Sequence, residues 1–467
     1  MRVRLRYAFS VLLTGFLLIL VSAVIAYLMY MSGQFLSLHF TLLTNIILLF
    51  CFIVEKKYLP QAIFISVSIP ILGAVLVLYA VITYNRKTYR LQKNMRFLDE
   101  YKGDFLLFDE TNSSKPKLYN RSDTLFNEML KDIKAAQKSV FLVSYIIEDG
   151  KAFDRLVKVI ARLSLSVQVT IVVDYFGSAK LSRKTVKLLR RLKVKVKFFN
   201  KPSLFITLAD NLRMHAKFLA VDGEIGYFSS LNIGDRFLSK ERDFGIRVQN
   251  KNIINVENTF KSICKISKSH KVKKQLKRKV KLPALGEIFD RKYQSLPTIT
   301  FSDRLKNLYI CLLLSAKKKI RIISPYVSVD DRLLEVFSFL VSVGVTVELI
   351  VPSTKCFVKR KGAVKFSCND LLEIGVKIYA TQNFLHAKAL IVDNNIALSG
   401  SVNLDERSLS YAVEANLIIK DNGLIEALID KFDSMLPLAT KLDKENIKNN
   451  IIEGQKRNFA KLIEPLV

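Results

Sequence analysis

The chain of 467 residues is half apolar and carries 73 Lys plus Arg against 41 Asp plus Glu, a formal net charge of +32. That length holds two or three domains, and that charge suits an anionic partner such as nucleic acid, acidic phospholipid or a phosphorylated substrate. Its five cysteines are scattered, with no CxxC pair, which sets aside a disulfide framework and a cysteine metal site.

The first apolar element is an uncharged run from Tyr7 to Met31 behind Arg2, Arg4 and Arg6, long enough for a transmembrane helix. A second run, Phe35 to Val54, also suffices to span, and a third, Gln61 to Tyr84, is interrupted by Pro70 and Gly73. Lys56 and Lys57 follow the second run, and Arg86, Lys87 and Arg90 follow the third. Two crossings put all these basic flanks on the cytoplasmic side, so the third segment is read as one that dips into the membrane or lies at its surface. A cleaved signal peptide fits less well, because its apolar core would be shorter and two more apolar runs follow at once. Residues 1–90 are thus expected to be a membrane anchor (spans 7–31 and 35–54, dipping segment 61–84), with the remaining chain in the cytoplasm.

After a linker over 91–123, short β-branched runs alternate with amphipathic helices, the pattern of α/β units. "SVFLVSYI" (139–146) and "VQVTIVVDYF" (167–176) flank a helix, and 319–353 repeats the order strand, acidic turn, helix, strand. Each block is followed by a histidine segment, "MHAKFLAVDGEIGYFSSLNIGDRF" and "LHAKALIVDNNIALSGSVNLDERS", with the two histidines 171 residues apart. A duplication of that period implies two similar domains, expected over 124–262 and 296–467. Between them, 263–295 reads as a basic linker. Its core, residues 265–281, has nine Lys or Arg and no acid, a solvated connection or a contact with anionic head groups.

On a strand, residues two apart share a face, so His215 and Lys217 point the same way, as do His386 and Lys388. A two-residue turn at Asp222-Gly223 would set His215 opposite Ser230, and one at Asp393-Asn394 would set His386 opposite Ser401. Asn232 and Asn403 then return to the same face. Lys, Ser and Asn supply donors for a phosphate without a metal, so Ser230, Asn232, Ser401 and Asn403 are candidate phosphate ligands. One neutral histidine can attack phosphorus while a second, protonated one hands a proton to the leaving alkoxide. Asp243 and Glu414 each lie 11 residues past the motif asparagine, in otherwise apolar strands, and are candidate partners that orient the imidazoles. Asp222 and Asp393 belong to the motif in a supporting role as turn formers.

These residues resemble the phospholipase D superfamily, whose mark is a duplicated HxK(x)4D(x)6GSxN. His386, Lys388, Asp393, Gly400, Ser401 and Asn403 match it fully; the first copy has Ser229 in place of the glycine and reads HAK where relatives read HRK. "SIPILGAVLVLYAV", "ERDFGIRV", "ISPYVSVDDRLL" and "SVNLDERSL" are similar to bacterial cardiolipin synthases. The resemblance implies an α/β fold of two tandem pseudo-symmetric phospholipase D-like domains, each a mixed β-sheet flanked by helices, after an N-terminal helical transmembrane region. It implies transfer of a phosphatidyl group between two phosphatidylglycerol molecules, giving cardiolipin and glycerol, with no cofactor and no metal. His215 would be the nucleophile and His386 the acid and then base, with Lys217 and Lys388 beside them. The expected partners are anionic phospholipids (phosphatidylglycerol, cardiolipin) and the bacterial cytoplasmic membrane, not nucleic acid. A phospholipase D-type hydrolase, a transferase using another alcohol, or a nuclease are the competing expectations.

Overall fold

The computed structural model describes residues 114–201, 213–239, 243–266, 295–300, 303–352, 368–382 and 385–442. The expected membrane segments and most of the basic linker lie outside these residues. Among the described residues no helix is long and apolar enough to cross a membrane. All of them fall in one compact unit.

The first half runs β1 (Ser114–Tyr119), α1 (Ser122–Ala135), β2 (Ser139–Ser144), α2 (Lys151–Ile160), β3 (Gln168–Asp174), α3 (Arg183–Arg191) and β4 (Lys195–Phe199). It continues through β5 (Arg213–Met214), β6 (Phe218–Val221), β7 (Ile225–Ser229), α4 (Asp235–Ser239), β8 (Gly245–Gln249) and α5 (Ile253–Ile266). The second half runs β9 (Ser295–Thr300), α6 (Asp303–Leu314), β10 (Lys319–Ile323), β11 (Val327–Ser328), α7 (Asp331–Ser342) and β12 (Thr346–Pro352). It closes with β13 (Lys377–Thr381), β14 (Ala389–Val392), β15 (Ile396–Gly400), β16 (Leu404–Asp405), β17 (Ala412–Ile419), α8 (Asn422–Asp433) and β18 (Ala439–Lys441).

Sheet one has the order β1-β8-β7-β6-β2-β3-β4. In sheet two β9, β17, β15, β14, β10, β12 and β13 repeat that order, with β18 added beyond β13. Both sheets are mixed: β2, β3 and β4 are parallel, as are β10, β12 and β13, and antiparallel hairpins complete each. Alternation along the strands sorts side chains into layers. Phe141 and Val143 of β2 face a core shared by the two halves, while Val140 and Leu142 face the outer core of the first half. Helices α5 and α8 contribute Val256, Phe260, Leu428 and Phe432 to the shared core, so they fill the space between the sheets. β5 crosses over to pair with β17 of the other half.

Two sequence expectations shift. β1 lies inside the stretch expected as linker; it is a sheet-edge strand, and its polar residues suit that exposed position. The histidine hairpins close through three residues rather than two, because Val221 pairs with Ile225 and Val392 with Ile396. The cause is the turn aspartate. With φ of 56°, Asp222 turns its carboxylate back to accept the N–H groups of Gln137, Lys138 and Ser139. Asp393 does the same for Lys317, Lys318 and Lys319. Both aspartates therefore lock the hairpin to the start of β2 or β10.

The departure at Ser229 has a compensation across the strand pair. Ser229 lies opposite Gly245, whereas Gly400 lies opposite Asn416, so each pair holds one glycine. A Cβ on Gly400 would stand 2.3 Å from the Ala415 carbonyl oxygen and 2.6 Å from Asn416 Cα. Gly400→Ser is expected to cost about 1–3 kcal/mol through overpacking, while Ser229→Gly changes stability by less than about 1 kcal/mol. Thermal unfolding of the two variants checks this, with equal shifts as the contrary result.

Candidate active site

The two histidine segments meet at one end of the shared core. Asp174, at the end of β3, accepts the Met214 N–H at 3.0 Å and so ties the residue before His215 to the first sheet. Ala216 N–H then bonds the Val413 carbonyl at 2.8 Å, stitching the same segment to the second. His215 thus sits where both sheets hold the backbone.

Each imidazole is held by the acid of the other half. His215 Nδ1 lies 2.8 Å from Glu414 Oε1, and His386 Nδ1 lies 2.7 Å from Asp243 Oδ1. Both carboxylate side chains are fully buried, and the imidazoles are 14% and 7% exposed. Each acid singled out in the sequence lies against the histidine of the opposite half. With Nδ1 committed in each ring, Nε2 is the nitrogen that can carry chemistry.

Lys217 and Lys388 are nearly inaccessible. Each Nζ donates to the backbone carbonyl of its own histidine at 2.6 Å, which places two buried ammonium groups behind the rings. The rings have aromatic neighbours as well: Tyr145 stands edge-on to His215 at 4.9 Å and Tyr326 to His386 at 6.5 Å between centroids. Lys217 Nζ lies 5.3 Å from the Tyr145 centroid.

A cavity of about 190 Å³ is lined by His215, His386, Asn232 and Asn403, together with both tyrosines. Asn232 accepts the Ile146 N–H, and Asn403 donates to Ser408 Oγ, while its buried Oδ1 has no hydrogen-bond partner among the described residues. The serines behave otherwise. Ser230 Oγ exchanges hydrogen bonds with Phe244, and Ser401 Oγ donates to the Glu414 carboxyl and accepts the Ala415 N–H. Neither lines the cavity, so they stand beneath the acids rather than in the phosphate pocket expected for them. The one-residue change in hairpin register is the reason: with Ser229 facing Lys217, Ser230 no longer stands opposite His215. Arg213, Arg236 and Arg407 also line the cavity and were not singled out from sequence. Arg236 and Arg407 each stand four residues past the motif asparagine, a repeat that the spacing carried.

Burial, then Lys217 and Lys388, hold the His215 imidazole well below its ordinary range. Burial and Lys388 lower His386 to about 4, partly opposed by Asp243. The two carboxyls differ. Burial alone would raise Asp243, but His386, Lys388 and the Ser230 hydroxyl keep it below its usual value. Burial dominates at Glu414 and pushes it up to about 8. The site therefore holds two neutral imidazoles, one ionised carboxylate and one carboxyl that is protonated through much of the neutral range.

The family model described as "Cardiolipin synthase, PLD-like domain" matches residues 129–264 and 309–436. The chain belongs to this family. The cardiolipin synthase of Oceanobacillus iheyensis is 26% identical over 383 residues, covering 78% of each chain. That of Listeria innocua is 29% identical over 370 residues, covering 76% of each. Among solved structures, the phosphatidylserine synthase of Haemophilus influenzae superposes with a TM-score of 0.55 at 15% identity, over 78% of this chain and 96% of that one. At that identity the likeness is one of fold, and the fold of this cardiolipin synthase family member is two phospholipase D-like domains with mixed sheets.

The charges of the site set the dependence of stability on pH. Below pH 6.5 the unfolded chain takes protons on its histidines that the buried imidazoles refuse, so stability falls as pH drops. His386 accounts for about 3 kcal/mol between pH 6.5 and 4. Glu414 acts in the opposite sense: its folded carboxyl keeps a proton that the unfolded one has lost, so stability declines as pH rises from 4.5 toward 8. Unfolding midpoints across pH should show His386→Gln flattening the acid limb and Glu414→Gln flattening the upper one. Unchanged limbs would contradict the assignments.

Proposed function

We propose that the protein is a membrane-bound cardiolipin synthase that transfers a phosphatidyl group from one phosphatidylglycerol to the terminal hydroxyl of another, releasing glycerol. Membership of the family makes it an enzyme of the phosphatidyltransferase class. The observation that carries the reading is the convergence of two imidazoles on one cavity, each backed by a buried carboxylate and a buried ammonium.

In this reading His215 Nε2 attacks phosphorus, the bond from phosphorus to the glycerol oxygen breaks, and protonated His386 gives its proton to that oxygen. A phosphatidyl group then sits on His215. The hydroxyl of a second phosphatidylglycerol gives its proton to His386 and attacks phosphorus, and the N–P bond breaks. No nucleotide is consumed, because the phosphohistidine keeps the energy of the diester. Lys217 and Lys388 balance the charge on the phosphoryl oxygens, and Asn232 and Asn403 are the amides that reach it.

Two features support this division of labour. An imidazole of pKa near 4 makes a poor proton carrier by itself, but an arriving phosphodiester anion offsets Lys388 and raises it. Ionised Asp243 then favours His386 as the ring that takes and gives the proton, whereas Glu414 beside His215 is the more weakly ionised acid. The proposed location is the bacterial cytoplasmic membrane, with the two domains on the cytoplasmic side. Anionic phospholipids are the proposed partners.

Purified protein in phosphatidylglycerol vesicles should form cardiolipin and free glycerol in equal amounts, read by lipid analysis. His386→Ala and Asn403→Ala should each lower the rate at least about 100-fold, the scale of a lost general acid or transition-state donor. Phosphatidic acid as the sole product would make the enzyme a hydrolase, and undiminished turnover in either variant would refute the site.

A further inference from the structure

A strongly basic surface lies on α3 and β4, outside the lining of the histidine cavity. Between Asp174 and Asp210 the chain has no acid, and from Arg183 to Lys197 it has eight Lys or Arg. Helix α3 buries Val186 and Leu189 and is fixed at its start by Ser182, whose hydroxyl accepts the Thr185 N–H. Its opposite face presents Lys184, Lys187 and Arg191 to solvent, and Leu188 in their midst is 45% exposed. β4 is the open edge of sheet one, and Lys195 continues the basic face onto it. None of these four basic residues has an ion-pair partner among the described residues. The corresponding edge of sheet two, β13, is covered by β18.

Lysines on an open strand edge also prevent unwanted strand pairing, and a charged helix face is ordinarily a solvated one. Edge protection accounts for Lys195 but not for the helix, which has no pairing edge. Nor does solvation account for a leucine held outward at the centre of the cations. An apolar side chain ringed by long cationic ones matches the boundary of a bilayer, where Lys and Arg stems lie along the surface and their heads reach acidic head groups.

We propose that the face formed by α3 and the β4 edge docks on a bilayer surface rich in anionic phospholipid, with Leu188 entering the head-group boundary. This contact is separate from the histidine chemistry. It holds the domains to the leaflet by charge, so it strengthens with the anionic fraction of the membrane and weakens with salt.

The chain contains no tryptophan, so Leu188→Trp places a single indole reporter on this face. The full chain with this change is reconstituted in vesicles of phosphatidylcholine alone or with phosphatidylglycerol. Indole emission should shift to the blue and be quenched by brominated phosphatidylglycerol only in the anionic vesicles, and the shift should be lost in high salt. Lys184→Glu, Lys187→Glu and Arg191→Glu together should abolish it, and the three Gln replacements should weaken it. Emission that is the same in both vesicle types, or unaffected by the charge reversals, overturns the proposal. So does a shift produced by short duplex DNA and not by anionic lipid, which would assign the face to nucleic acid. Because the readout is emission and not turnover, failure here is distinguishable from failure of the proposed reaction.

Discussion

The site depends on the crossed pairing of imidazole and carboxylate between the halves. His215 finds its acid in Glu414 and His386 in Asp243, so neither half contains a complete histidine pair. Both acids are fully buried, and a carboxylate deprived of water needs a donor in place. The halves must therefore meet in one register for either acid to gain its imidazole partner. Satisfaction of buried charge and assembly of the reactive centre are one condition, and the shared apolar core between the sheets supplies the adhesion that brings it about.

Placing two lysines behind two histidines in a dry setting has a consequence for the resting state. Each ammonium donates a short bond to the carbonyl of its own histidine. Burial first, and the two lysines after it, keep both rings unprotonated. In the proposed reaction this couples binding of a phosphodiester to the gain of the proton that its cleavage requires.

Much of this was legible in the sequence for a physical reason. The duplicated spacing of His, Lys, Asn and acid reports the topology of one hairpin and the strand after it, and topology survives small errors in register. What required the structure was the register itself. An Asp-Gly pair ordinarily signals a two-residue turn, but Asp222 spends its carboxylate on three amides of a neighbouring strand, and the loop widens by one residue. That residue moves Ser230 and Ser401 from the pocket to positions under the acids. The exchange of Ser229 with Gly245 was likewise invisible, because the compensating glycine belongs to a strand 16 residues away in sequence.

The two halves share a strand order yet have diverged where they do not touch each other. At the interface, symmetry is retained: acid, lysine, asparagine and arginine recur at equal spacing because each half serves the other's histidine. Away from it the constraint lapses. β13 acquired a covering strand in β18, whereas β4 stayed open and basic. A duplicated fold with one shared site has two outer surfaces free to specialise, and charge on one of them gives the pair a preferred side toward an anionic surface.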